Sequence, residues 1–142
     1  MKTIQELEQY LEENCYSFDS ITIGRHYAHE GLVVKNCALG YCLFWSERGH
    51  ETLLKALQTE EELVRYTLAE LDADPWCKAH IVAFTFDQKQ IQKAESELKW
   101  MGIQYRRNDI PNFCAGQTAY RIFVYGRDIL RLDDFKKQYM QR

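Results

Sequence analysis

The chain has 142 residues, 46% of them hydrophobic and 27% charged, with a formal net charge of −3, which suits one domain with a substantial core. No apolar run approaches the roughly 20 residues that a membrane-spanning helix needs. The opening Met1-Lys-Thr-Ile-Gln-Glu-Leu-Glu8 also lacks the apolar stretch of a signal peptide, so the expectation is a cytoplasmic protein with no membrane partner. Cys15, Cys37, Cys42, Cys77 and Cys114 are odd in number and contain no C-x-x-C pair, a pattern of small buried hydrophobes rather than of a disulfide scaffold.

Thr3-Ile-Gln-Glu6 is a capping box, and Ile4, Leu7, Leu11 and Cys15 recur at helical spacing. They predict a helix from Ile4 to about Asn14 with Glu8, Glu12 and Glu13 on its outer face. Ser20 to Arg25, Gly31 to Asn36, Tyr41 to Ser46 and Glu51 to Gln58 each have strand character. Joined by Gly or Asn turns, they predict an antiparallel meander. Arg48-Gly49 is the clearest of these turns, because glycine tolerates positive φ. A second capping box, Thr59-Glu-Glu-Glu62, opens a helix that presents Leu63, Val64, Thr67, Leu68 and Leu71 on one face. Three acidic residues there sit on the positive end of the helix dipole. That helix is expected to stop near Asp72-Ala-Asp-Pro75.

The stretch Tyr41–Leu71 carries a family resemblance. A strand ending in Trp45-Ser46-Glu47-Arg48-Gly49, a Leu-rich return and the Thr59-Glu60-Glu61-Glu62-Leu63 helix start resemble small immunity proteins of bacterial polymorphic-toxin systems, including those of contact-dependent growth inhibition. The resemblance covers less than a quarter of the chain and its motifs are structural. It implies an antitoxin that binds a cognate toxin and blocks it through a protein–protein interaction. It implies no catalytic residues and no cofactor.

The second half resumes with β character. Ala79 to Phe86 reads as a buried strand; Asp87 caps a helix carrying Ile91, Ala94, Leu98 and Met101 on one face; Gly102 ends it. Ile103 to Arg106 is a short strand, Arg107 to Gln117 the longest loop, and Thr118 to Tyr125 a strong strand. Asp133 is expected to cap a last helix packed by Leu132, Phe135 and Tyr139. These elements predict an α+β fold: residues 1–142 as a single domain, mainly an antiparallel sheet covered by helices.

Chemistry is thinly marked. His26 and His29 with Cys37 and Cys42 do not have the spacing of a zinc knuckle, so no metal site is expected. A Cys42–His50 dyad is available in composition but comes with no protease signature, and the glycines are spaced as turn residues rather than as a phosphate loop. The expectation is a protein that is not an enzyme.

Charge is more informative. Residues 1–74 hold 14 Asp/Glu and 6 Lys/Arg, whereas residues 75–142 hold 7 and 12. An acidic half complements a basic partner such as a nuclease toxin, whose phosphate-binding surface it can occlude. The partner-binding candidates are therefore Glu12, Glu13, Tyr16 and Asp19 after the first helix, and Glu60 and Glu61 at the central one. The alternative is a small RNA- or single-stranded nucleic-acid-binding domain. In it Tyr120-Arg-Ile-Phe-Val-Tyr125 would offer Arg121, Phe123 and Tyr125 on one strand face, without the glycine–aromatic spacing of an RNA-recognition strand.

Overall fold

A computed structural model describes residues 1–140 of the chain. The fold is α+β, with helices set on mostly antiparallel sheets. The expected single sheet is in fact two, and the chain divides into two compact units, Met1–Cys77 and Lys78–Arg142. Among the described residues, no helix is long and apolar enough to cross a membrane.

The first unit runs α1 (Ile4–Glu13), β1 (Ile21–Thr22), β2 (Gly31–Cys37), β3 (Gly40–Glu47), β4 (His50–Leu57) and α2 (Glu60–Asp72), with strands in the order β1-β2-β3-β4. Both helix starts form as their sequences dictate. Thr3 and Thr59 are extended N-caps whose hydroxyls accept the backbone N–H of Glu6 and Glu62. The Glu6 carboxylate takes the Thr3 hydroxyl instead of closing the box onto the backbone. Leu7 and Leu11 of α1 and Leu63, Val64 and Leu71 of α2 are buried against Leu43 and Val34 of the sheet. Leu68, expected on the same face, is only partly buried at its margin.

Three expectations need correction here. The strand expected over Ser20–Arg25 is only two residues long, because Ile23-Gly24-Arg25-His26 closes into a tight turn with Ile23 bridged to His26. That short strand runs parallel to β2, not antiparallel. Cys37 and Cys42 are disulfide-bonded rather than two separate thiols. The β2–β3 register explains the bond. Cys37 faces Gly40 and Cys42 faces Lys35, which leaves the two Cα atoms diagonal at 6.3 Å, within disulfide reach.

The second unit contains β5 (Ala79–Thr85), α3 (Gln88–Met101), β6 (Tyr105–Arg107), β7 (Ile110–Cys114), β8 (Gln117–Tyr125) and α4 (Asp133–Tyr139). Strand β8 lies between β5 and β6 and also pairs with β7. Its inward Ile122 and Val124 meet Ile91, Leu98, Phe135 and Tyr139 from α3 and α4. As expected, Asp87 caps α3 through the N–H of Lys89, and Gly102 ends it at φ +72°. The long loop expected over Arg107–Gln117 instead contains β7, and Pro75–Lys78 and Gly126–Arg131 are 3-10 turns. Asp133 is not a cap: Leu132 holds that position without a side-chain bond, and Asp133 is the first helical residue.

Candidate functional site

A loop braced from both sides builds the site. After β1, Gly24 takes a left-handed φ of +57°, and a Cβ there would collide with the Glu8 carboxylate seated on the turn. That carboxylate accepts the N–H of Arg25 at 2.9 Å. Glu12, one helical turn further along α1, accepts from the Arg25 guanidinium at 2.8 Å and from His26 Nε2 at 2.8 Å. The His26 ring stacks flat on Phe18, with centroids 3.6 Å apart. Two residues on, the N–H of Ala28 donates to the Thr22 hydroxyl at 2.9 Å, and Ala28 is buried. Tyr27 lies between these two anchors and is 76% exposed. Its ring meets His29 edge-on at 6.0 Å.

Across from this loop is the β3–β4 turn. Glu47 pairs with His50, so the turn is the two residues Arg48 and Gly49, with φ of +52° and +81°. That is the hairpin geometry that suits the right-handed twist of the strands. Glycine adopts it readily, whereas an L-residue such as Arg48 does so at about 1–2 kcal/mol. The turn and the loop enclose a cleft of about 630 Å³, lined by Asp19, Tyr27, His29, Glu30, Ser46, Arg48 and Gly49. Among the described residues, the side chains of Asp19, Glu30 and Arg48 make no hydrogen bond or ion pair, and the rings of Tyr27 and His29 meet each other. A concavity that carries exposed Tyr and Arg on a fixed backbone has the make-up of a protein-docking hot spot.

The six residues expected to bind a partner separate sharply. Asp19 lines the cleft. Tyr16, expected at the surface, is buried at 3% exposure, and its hydroxyl donates to Asp72 at 2.6 Å. Burial first, and the Asp72 carboxylate second, push that phenol well above its ordinary range. Glu60 is drawn 2.7 Å from the N–H of Ile4 and so caps α1 from α2. Glu61 pairs with Arg65 one turn along its own helix at 3.0 Å, and Glu13 accepts from Gln9 at 3.2 Å. Glu12 braces the Tyr27 loop; its hydrogen bond from His26 holds its carboxyl below the usual range, with burial opposing and Arg25 assisting.

The other constellations do not converge. Cys42 is in the disulfide, so it has no thiol to pair with His50, and His26 and His29 are turned to different partners. Glu8, Glu12 and His26 do bring three donor atoms within 4.8 Å of one another. A cation there would have to displace the Arg25 guanidinium from Glu12, so the cluster is an ion-pair network in this arrangement. On β8, the Arg121 guanidinium is held by the carbonyl and side-chain oxygen of Asn108 and lies over the Phe123 ring at 5.2 Å.

Four cleft residues, Tyr27, His29, Glu30 and Arg48, are not among the expected partner-binding residues; the sequence presents His29 only as a metal-ligand candidate and Arg48 only as a turn residue. The available signal was Arg48 itself: asparagine or glycine forms such a turn at less cost, so arginine there points to a use for its side chain. No protein-family model, curated protein or solved structure matches the chain.

Proposed function

We propose that this protein is an immunity protein: it binds a cognate bacterial toxin domain, a basic nuclease, and neutralises it by covering its active surface. One observation carries the reading. Five side chains able to recognise a partner, Asp19, Tyr27, His29, Glu30 and Arg48, surround one cleft and make no side-chain hydrogen bond among the described residues. The resemblance of Tyr41–Leu71 to immunity proteins supports it, since that stretch contains the Arg48-Gly49 wall of the cleft. In this reading the protein works in the cytoplasm and catalyses nothing. The Cys37–Cys42 bond weighs against that compartment, because disulfides are the exception in reducing surroundings.

The test is neutralisation. A toxin-sized reading frame is sought directly upstream, and its C-terminal domain is expressed alone and with this protein; finding none there counts against the proposal. Growth arrest by the domain, rescued by the protein but not by a Tyr27→Ala/Arg48→Ala variant that melts normally, is the expected result. Absence of rescue by the unaltered protein overturns the proposal.

A further inference from the structure

We propose that the occupant of the cleft is an arginine side chain of the partner, held between the Asp19 and Glu30 carboxylates and against the Tyr27 ring. This rests on the docking function proposed above and goes beyond it by naming the chemical group that is recognised. The protein already contains the finished form of such a nest. In the second unit the Arg107 guanidinium donates to Glu95 at 2.9 Å and to Asp109 at 2.7 Å, and lies over the Tyr120 ring at 5.4 Å. Two carboxylates and a tyrosine face there satisfy one guanidinium. The cleft of the first unit offers the same set, Asp19, Glu30 and Tyr27, and among the described residues no cation pairs with either carboxylate.

Physical chemistry favours arginine over other occupants. Two carboxylates and one arginine leave the lining net negative when His29 is neutral, so a cation is drawn in and an anion is not. A planar guanidinium can fork to a carboxylate and stack on an aromatic ring at the same time; an ammonium is a compact point charge and cannot do both. Arginine is also the phosphate-gripping residue of nucleic-acid enzymes, so capturing it would remove the group a nuclease needs. Arg48, on the opposite turn, is then placed to donate to a partner oxygen beside the captured side chain.

The experiment uses the full chain and three small probes: the N-acetyl amides of arginine, lysine and glutamate. The ring resonances of Tyr27 and His29 are followed by NMR as each is added. Saturable shifts with the arginine amide are expected, with binding at least about tenfold weaker, a change of about 1.4 kcal/mol, for the variant Asp19→Asn/Glu30→Gln. The lysine amide is expected to bind more weakly than arginine, and the glutamate amide not to displace these resonances. Three outcomes overturn the inference: no saturable shift with arginine, a stronger response to glutamate, or arginine binding that appears only after Arg48→Ala, which would make Arg48 itself the occupant. Toxin neutralisation measured on Asp19→Asn/Glu30→Gln separates the two proposals. If neutralisation persists unchanged there yet fails in Tyr27→Ala/Arg48→Ala, the docking function stands and the arginine nest falls.

Discussion

Two sets of acidic side chains in the first unit have opposite surroundings. On the helices, Glu8, Glu12, Glu60 and Glu61 each accept a bond from the protein itself: a turn N–H, a guanidinium and an imidazole, the first N–H of α1, and an i+4 arginine. At the cleft, Asp19 and Glu30 accept no side-chain bond or ion pair among the described residues. Both sets count equally in the −8 that residues 1–74 contribute to the formal charge, yet only the second is available to a partner. Net charge therefore marks a half of the chain, and local satisfaction of each carboxylate separates, within it, the structural acids from those the proposed docking would use. The first set should govern stability and the second binding.

The sharpest way to break that division is at Tyr27. An exposed aromatic on a braced loop makes little contribution to folding, so Tyr27→Ala should leave the melting temperature unchanged. If the proposed function holds, it should weaken binding to the toxin domain by about 2 kcal/mol, the scale of a hot-spot residue. Titration calorimetry against the toxin domain, paired with a thermal melt, measures both. A large fall in melting temperature would place Tyr27 with the structural set instead.

The helix carboxylates should behave the other way round. Removing the Glu60 side chain leaves the Ile4 N–H without its acceptor, and a lost bond to a charged group costs about 1.5–3 kcal/mol, at the low end where water can replace it. Thr59→Ala, which removes the cap of the same helix, should cost about 1 kcal/mol. Neither change should slow association with the proposed toxin partner. Urea titrations and stopped-flow binding on the two variants test this pair of statements. If Glu60→Ala binds slowly while folding normally, the bond to Ile4 is not what the carboxylate is for.

How much of this was legible beforehand follows from the range of the interactions. The capping threonines, Asp87, Gly102 and the apolar faces of α1 to α3 act within a few residues, so the chain displays them directly. Sheet partition does not act locally. Whether β8 joins the meander or sits between β5 and β6 depends on pairings 15 to 46 positions apart, as in Ala79 with Tyr125 and Tyr105 with Val124. The commitments of Glu60 and Tyr16 were hidden for the same reason, since each reaches a partner 56 residues away. Arg48-Gly49 was legible as a turn, but the cleft it walls depended on the Tyr27 loop lying opposite.

The smallest expected effect concerns pH, and it tests whether the two sets are linked. Glu12 is held below the usual carboxylate range, mainly by the hydrogen bond from His26. Its folded-state proton affinity is therefore lower than in the unfolded chain. The stabilisation it provides is complete above the ordinary carboxylate range and is lost as pH falls through the lower, folded value. Thermal melts from about pH 6 down to about pH 3 should show stability declining with acid, and Glu12→Gln should decline less steeply because it has no proton to take up. The loop should respond before the whole unit does. Protonating Glu12 loosens its hold on Arg25 and His26, the residues that fix the near side of Tyr27. Amide exchange at 25–28, corrected for its intrinsic pH dependence, should then rise at a pH where the α1 and α2 cores remain protected. An acid slope identical in Glu12→Gln and the unaltered protein would show that the carboxylate braces nothing, and that the Tyr27 loop is held by Glu8, Phe18 and Thr22.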